Sequence, residues 1–160
     1  MQVGVAGPSV WIRVAGRGSF KNSAGVKEFA SEMTRRGHRD FIVDLGECEL
    51  MDSTFLGTLA AIALKMGGDG SVRIVRANPR NRQVLQNLGL DRVLALEDEP
   101  APSAPAGNWS EASDSAAPTK RETIIEAHES LVAANPENAV RFKDVIDFLK
   151  QERPEEEGRP

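Results

Sequence analysis

Two segments decide the fold of this chain: FIVDL at residues 41–45 and MDSTFLGTL at residues 51–59. The first is an apolar run interrupted only by its Asp44, which is typical of a central strand covered on both faces. The second places Ser53 at the first turn of an apolar helix, where unpaired backbone amides and the helix dipole favour a negative group. We therefore expect a buried strand, a loop, and a helix start whose exposed hydroxyl suits a phosphate that is added and removed.

Strand-like and helix-like patterns alternate on both sides of these segments. Residues 7–8, Gly-Pro, indicate a hairpin-type turn between the first two strands, and Gly16-Arg17-Gly18 indicates a loop after the second. The order β-β-α-β-α-β-α-β predicts an α/β fold, with an open mixed sheet of four to five strands and helices packed against it. The predicted strands cover residues 2–6, 10–14, 41–45, 71–77 and 93–96, and the predicted helices cover residues 23–37, 53–66 and 78–88. The last helix is predicted to have Asn78 as its cap and Pro79 in its first turn.

The composition changes abruptly after the first 96 residues, which we predict to be one domain. Residues 97–119 are rich in Pro, Ala, Ser and acidic residues and predict an extended linker, whose one large apolar residue is Trp109. Residues 120–152 predict a helical hairpin with too little core to be stable alone. We expect it to dock on the first domain, on a second copy of the chain as a homodimer, or on a partner. Residues 153–160 predict a disordered acidic tail.

Charge and composition exclude several functional classes. Residues 1–96 carry 13 Lys and Arg against 9 Asp and Glu, and the rest of the chain is acidic. Without a dense basic stripe, and with no Tyr and two Trp, direct binding to nucleic acid is not expected. A single cysteine excludes an internal disulfide framework. No leader pattern and no apolar run of about 18 residues is present, so we expect no membrane span and a cytoplasmic location.

The sequence gives little support to an enzyme. The motif Gly-x-Ser-x-Gly is absent around Ser53, and the two histidines, His38 and His128, fall in a helix-exit loop and in the hairpin. We interpret His128 as a packed residue on the apolar face of the hairpin. The two histidines and the one cysteine lack the spacing of metal ligands, so no metal site is predicted. Residues 16–18 lack a phosphate-binding motif. We therefore expect no cofactor. Residues 47–49 around Cys48 predict a solvated loop.

The segments quoted above resemble the STAS domain, the fold of bacterial anti-sigma factor antagonists. That family has an apolar strand ending in Asp-Leu and a helix start of the form Asp-Ser-(Ser/Thr)-Gly-Leu-Gly. The matching residues here are 43–45 and 52–57, with Gly16 after the second strand and Leu-Gly-Leu at residues 88–90. The resemblance covers residues 1–96, and the linker and hairpin lie outside it. It implies a STAS-like sheet domain.

The resemblance also implies partner switching, a form of signal transduction in transcription regulation. In such proteins the serine carried over here as Ser53 is phosphorylated by a cognate serine kinase, often the anti-sigma factor itself, and a serine phosphatase removes the phosphate. The unphosphorylated form binds the kinase-type partner. Thr54 is the weaker alternative acceptor. The partner-binding residues that the resemblance implies are Asp44, Asp52, Thr54, Phe55, Leu56 and Gly57.

Several alternatives stay open at this point. Asp52 or Ser53 is also explained as a helix cap with no further role, and Asp44 either steers the kinase or caps loop amides. Phe55 stands where the family has a glycine, and it is either a partner anchor or a packed side chain. The second functional hypothesis is therefore a constitutive STAS adaptor or scaffold subunit, which binds a partner through Phe55 and the hairpin without phosphorylation. A ligand-sensing STAS module is a third class.

Overall fold

The computed structural model describes residues 1–98, 104–105, 107, 109–111 and 120–151. Within them the chain forms a mixed α/β fold with a C-terminal helical hairpin, as predicted. The predicted acidic tail at residues 153–160 lies outside the described residues. The strands are β1 (Gln2–Ala6), β2 (Ser9–Gly18), β3 (Asp40–Met51), β4 (Ser71–Val75), β5 (Ala95–Leu96) and β6 (Ser110–Glu111), and the helices are α1 (Phe20–Arg35), α2 (Ser53–Met66), α3 (Pro79–Asn87), α4 (Arg121–Ala134) and α5 (Asn138–Gln151).

The six strands form one sheet in the order β5-β4-β3-β2-β1-β6. Strand β1 is antiparallel to both β2 and β6, whereas β2, β3, β4 and β5 run parallel to one another. The parallel strands are joined through helices α1, α2 and α3, as parallel pairing requires. Strand β6 was not predicted, because two residues of a Pro/Ala/Ser-rich segment carry no strand periodicity.

The side chains of the central strands alternate between two apolar layers. Val10, Ile12 and Val14 of β2 belong to the main core, which is shared with α1, α2 and α3. Trp11 points to the opposite face and packs with Ile42 of β3 and Val75 of β4. The sheet therefore has a helix-covered face and a second face with a smaller apolar cluster of its own.

Trp109 of the predicted linker covers this second face. Its ring meets Trp11 edge-on, with the ring centroids 6.3 Å apart. The guanidinium carbon of Arg13 lies 4.1 Å from the centre of the Trp109 ring, a cation–π arrangement. The indole N–H of Trp109 donates to the carbonyl oxygen of Pro105 at 3.0 Å. Trp109 thus fastens its segment to the sheet.

Strands β2 and β3 are longer than the sequence predicts. They pair in parallel as far as Gly18 and Met51, with register irregularities between Arg13 and Ala15 and between Gly16 and Arg17. The predicted loop at residues 16–18 is therefore an irregular strand end. The predicted solvated loop around Cys48 is also wrong, since that side chain is buried in β3. Burial raises the pKa of the Cys48 thiol, so this cysteine is not an activated nucleophile.

The helix boundaries follow local capping chemistry. Helix α2 covers the predicted residues, and α3 begins after the predicted Asn78 cap, with Pro79 in its first turn. Helix α1 begins earlier than predicted because Ser19 and Asn22 form a capping box. Strand β4 ends at Val75, where Arg76 adopts the left-handed backbone region with a φ of 58°.

The C-terminal hairpin docks on the sheet domain. Helix α4 packs along α2, and α5 packs on the outside of α4. The amide of Asn138, at the turn of the hairpin, donates to the carbonyl oxygens of Leu88 and Leu131, both at 2.8 Å. The sequence leaves three docking positions open for the hairpin: the first domain, a second copy and a partner. In this structure the hairpin is docked on the first domain of its own chain. None of the helices in the described part of the chain combines the length and apolar character needed to cross a membrane.

Candidate functional site

Asp52 fastens the starts of two helices. One oxygen of its carboxylate accepts a hydrogen bond from the backbone N–H of Phe55 at 2.8 Å, which caps α2. The other accepts from the backbone N–H of Phe20 at the start of α1, also at 2.8 Å. Asp52 is therefore the cap, and Ser53 is the first helical residue of α2, so capping does not account for a hydroxyl at position 53.

The hydroxyl of Ser53 is bonded to a histidine of α4. Its Oγ lies 2.9 Å from Nε2 of His128, whose Nδ1 lies 2.8 Å from the carbonyl oxygen of Ile124. A carbonyl oxygen can only accept, so Nδ1 carries a proton, and in the neutral form of the ring Nε2 is then the acceptor of the Ser53 hydroxyl. This tautomer is assigned from the hydrogen-bond network. The Ser53 hydroxyl thus donates its proton towards a buried imidazole.

His128 is held firmly in this position. The residue is 4% exposed, and its ring packs edge-on against Phe142 of α5 with centroids 5.3 Å apart. The structure therefore has the packed histidine that the sequence predicts, together with a polar contact that sequence reasoning missed. A serine hydroxyl held by an oriented histidine is the arrangement that raises the nucleophilicity of a hydroxyl. Ser53 itself is partly exposed.

Asp44 lies away from this hydroxyl contact, in a saturated ionic cluster. Its buried carboxylate accepts two hydrogen bonds from Arg76, at 2.9 and 2.6 Å, and one from the backbone N–H of Gly46 at 2.9 Å. Arg13 lies 3.4 Å away as a further cation. Burial alone would raise the pKa of Asp44, but the hydrogen bonds and charges of these partners outweigh it and the pKa is lowered. The cluster joins β3 to the end of β4.

Four other residues with a predicted partner-binding role are buried in this conformation. They are Thr54, Phe55, Leu56 and Gly57. Phe55 is fully buried under β2, where a Cβ added at Gly18 would lie 2.7 Å from its ring. A glycine at position 18 is needed to admit the ring, so Phe55 is packed in the core in this structure. The partner-binding roles of these residues stay predictions, and of the whole predicted set only Asp52 and Ser53 are partly exposed.

Gly57 marks where α4 comes closest to α2. A Cβ at this position would lie 2.1 Å from the carbonyl oxygen of Ala127, so only glycine permits the two backbones to touch. Ala127 and Leu131 of α4 are buried in the contact. A glycine in an otherwise apolar helix costs about 1 kcal/mol relative to alanine, and here it permits the close approach of α4. Gly57 is also the last residue of the family motif, and in an apolar helix it is a sequence signal of a close neighbour.

Glu126 adds an ionic contact beside the apolar one. Its carboxylate binds Lys27 of α1 and also Lys65 of α2, the latter at 3.2 Å. Burial alone would raise the pKa of Glu126, but the hydrogen bonds and charges of the two lysines outweigh it and hold the pKa below its ordinary value. Helix α4 is therefore attached both to α1 and to the last turn of α2.

The site offers a hydroxyl group, and the part of the chain that the structure describes contains no metal-ligand cluster beside it. Among the described residues, no group of three or more His, Cys, Asp or Glu side chains is placed to hold a metal ion. What the geometry offers is one partly exposed hydroxyl at the positive end of a helix, oriented by a histidine from an adjacent helix.

Comparisons with known proteins agree with this fold. The family model described as "Mlab, STAS domain" matches residues 1–97. The crystal structure of TM1081 from Thermotoga maritima, assigned as a candidate anti-sigma factor antagonist, has a TM-score of 0.55 and 20% identity, and the match covers 61% of this chain and 85% of that one. The NMR structure of TM1081 gives a TM-score of 0.56 and 20% identity, with 60% and 78% covered.

A third similar structure is the anti-sigma factor antagonist SpoIIAA in its unphosphorylated form. Its TM-score is 0.52 at 18% identity, and the match covers 62% of this chain and 88% of SpoIIAA. No curated protein sequence matches significantly. At 18% and 20% identity, these structural similarities are evidence for the fold alone. The family match extends over more than half of the 160 residues, and the sheet domain that it covers has the architecture expected of the family. The chain therefore belongs to the STAS domain family.

Proposed function

We propose that this protein is an anti-sigma factor antagonist-like regulator whose binding to a kinase-type anti-sigma partner is switched by reversible phosphorylation of Ser53. One observation carries the proposal. The Ser53 hydroxyl does not cap its helix, since Asp52 does so, and it is instead oriented by Nε2 of His128 at 2.9 Å. A hydroxyl that is partly exposed, spared from capping and bonded to a base is a suitable phosphate acceptor.

The electrostatics of a phosphate at this position support a change in binding without unfolding. A phosphoserine adds about −1.5 to −2 charges, and a helix N-terminus tolerates negative charge. The phosphate would stand beside the carboxylate of Asp52, so the first turn of α2 would become strongly negative. A loss of a few kcal/mol at a docked interface changes affinity by orders of magnitude. The modified and unmodified forms would thus offer different surfaces from one fold.

The partners of the proposed cycle are a serine kinase that acts as the anti-sigma factor and a phosphatase that restores the hydroxyl. The similar structures named as anti-sigma factor antagonists support this class of partner. In this proposal the chain itself is not an enzyme, binds no nucleic acid and acts in the cytoplasm.

Phosphorylation of the full chain by candidate partner kinases tests the proposal. We expect mass spectrometry to find one phosphate on the wild-type chain and none on Ser53→Ala, with Thr54→Val still modified as the matched control. Modification that survives Ser53→Ala would contradict the assignment. If the phosphate were lost only in Thr54→Val, the weaker alternative acceptor would be the correct one.

A second candidate function is a constitutive adaptor that binds through the hairpin, with a homodimer as one form of it. The observation in its favour is on α5, where Val145 and Phe148 are 41% and 62% exposed and stand one turn apart. Light scattering of the full chain, with Phe148→Asp compared to the exposed control Lys143→Asp, tests the dimer. A partner pull-down unaffected by Ser53→Asp would favour the adaptor over the switch.

A further inference from the structure

We infer that α4 is an intramolecular competitor for the Ser53 surface of α2 and that a phosphate on Ser53 releases it. The inference rests on the proposed function for the arrival of the phosphate and for a partner that uses the same surface. It concerns a surface defined by Ser53 and Gly57 of α2 together with the lysine pair Lys27 and Lys65. In this structure α4 occupies that surface.

At Gly57 the fit of α4 leaves no space between the two helices. The Ala127 carbonyl sits where a Cβ of Gly57 would be, and one turn earlier on α2 the Ser53 Oγ contacts His128 at 2.9 Å. These two contacts are four residues apart on α2 and adjacent on α4. A group larger than a hydroxyl at Ser53 therefore meets a helix that is already in backbone contact with α2.

Phosphorylation of the Ser53 hydroxyl also removes the hydrogen-bond donor from this contact. In the present state Ser53 donates and the buried Nε2 of His128 accepts. A phosphoserine has no hydroxyl proton to donate and presents anionic acceptor oxygens instead. Two acceptors then face each other, and the buried Nε2 loses its donor, which is costly for a buried polar atom. The docked position of α4 is destabilised by both effects.

The attachments of α4 to the rest of the domain differ along the helix. Asn138 at the hairpin turn holds the Leu88 carbonyl in a buried hydrogen bond, whereas the N-terminal half of α4 is held by the partly exposed ion pairs of Glu126 with Lys27 and Lys65. The N-terminal half of α4, including Glu126, would thus separate from α2 while the turn of the hairpin holds. The conformational change is an opening of α4 around Ser53, with the sheet domain unchanged.

Hydrogen exchange on the full chain, with phosphoserine installed at position 53 during translation, tests the inference. We expect the amides of α4 to exchange at least tenfold faster than in the unmodified chain, which corresponds to about 1.4 kcal/mol. Amides of β2, β3 and α3 are expected to change by less than about twofold if the fold persists. Phosphoserine installed at the exposed Ser71 is the matched control and is expected to leave α4 unchanged.

Unchanged or increased protection of α4 would overturn the inference, because an attractive phosphate–imidazole contact would then hold the helix. Equal loss of protection throughout the sheet domain would also overturn it, since the phosphate would then unfold the domain.

The same measurement on His128→Ala isolates the role of the histidine. This variant removes the acceptor and makes space, so the phosphate is expected to accelerate α4 exchange by less than threefold relative to the unmodified variant. A tenfold effect that persists without His128 would contradict the mechanism. Because the phosphate is installed in translation, failure of any kinase to modify Ser53 would refute the proposed function and leave this result unaffected. Conversely, kinase-modified Ser53 without release of α4 would refute only the inference.

Discussion

Ser53 and His128, 75 residues apart in sequence, are joined by a hydrogen bond of 2.9 Å between Oγ and Nε2. The first residue of the helix that identifies the family is thereby tied to a helix that lies outside the family domain. The hydrogen bonding and the exposure of this hydroxyl therefore depend on the position of α4. The appended hairpin is part of the site.

We first predict that this contact is measurable as a coupling energy. Ser53→Ala and His128→Phe, alone and together, form a double-mutant cycle in which the phenyl ring preserves the packing against Phe142. We expect a coupling of about 0.5–1.5 kcal/mol in the free energy of unfolding, the usual net worth of a hydrogen bond. His38→Phe replaces His128→Phe in the control cycle. A coupling no larger than that of the control would contradict the hydrogen bond.

Gly57→Ala is predicted to loosen α4 without weakening α2. The added methyl group collides with the Ala127 carbonyl, and such overpacking costs about 1–3 kcal/mol, while alanine regains up to about 1 kcal/mol of helix propensity. Hydrogen exchange is expected to rise mainly in α4. Gly68→Ala is the control, because nothing lies within 4 Å of its added methyl group. Equal α4 exchange in the two variants would argue against close packing at Gly57.

The sheet domain could be predicted from sequence because its signals are local. Asp52 before an apolar helix and Asn78 before Pro79 are caps that act within four residues, and both were found where expected. The irregular ends of β2 and β3 were not predicted, since their pairing depends on two strands that meet only in the folded sheet. Propensity at Gly16 and Gly18 favoured a loop, and the parallel pairing overrode it.

The site was only half predictable for the same reason. Ser53 was recognised from the motif around it, but the contact with His128 is made across the fold between segments with no sequence relation. Asp44 was predicted either to steer the kinase or to cap loop amides, and in the structure its carboxylate accepts from the Gly46 backbone N–H and from Arg76, a partner that the sequence did not indicate. The charges in a sequence do not show which carboxylate will form an ion pair with an arginine side chain in the folded protein. Gly57 in an apolar helix was an available signal of a close neighbour.

Asp52→Ala is predicted to destabilise the fold more than an ordinary cap removal. Loss of an N-cap costs about 0.5–2 kcal/mol, and here the carboxylate also holds the backbone N–H of Phe20 at the start of α1. We expect a loss of about 2–3 kcal/mol, measured by urea denaturation, because the hydrogen bond to Phe20 is lost together with the cap. The exposed Asp69→Ala serves as the control and is expected to change stability by less than about 0.5 kcal/mol. Equal losses would show that Asp52 does not act as a double cap.

Stability is predicted to depend on acid pH through Asp44. The lowered pKa of this carboxyl in the folded state means that its stabilisation is complete above its ordinary pKa of 3.8 and is lost as the pH falls through the folded value. The difference in unfolding free energy between wild type and Asp44→Asn should therefore shrink below about pH 4. A difference that stays constant from pH 7 to the acid limit of folding would contradict the ionic role of Asp44.

Trp109→Ala is predicted to expose the second face of the sheet. The chain has two tryptophans, so the variant leaves Trp11 as the single indole fluorophore. We expect its emission to shift to longer wavelength relative to Trp109→Phe, the matched aromatic control. A stability loss of about 1–3 kcal/mol is expected, less than the 3–5 kcal/mol typical of a fully buried Trp→Ala change. If the emission maximum of Trp11 stays at the wavelength measured for Trp109→Phe, other groups keep Trp11 buried and the prediction is wrong.

The docking of α4 on α2 also sets a threshold for anything that binds in trans. Because the helix is covalently joined to the domain it covers, it behaves as a ligand at an effective concentration on the order of millimolar. A partner that needs the same surface must compete with this tethered helix. Its apparent affinity is its intrinsic affinity multiplied by the fraction of molecules in which α4 is undocked. For such a partner, the close packing of Gly57 against Ala127 would therefore set the lowest intrinsic affinity that still gives binding.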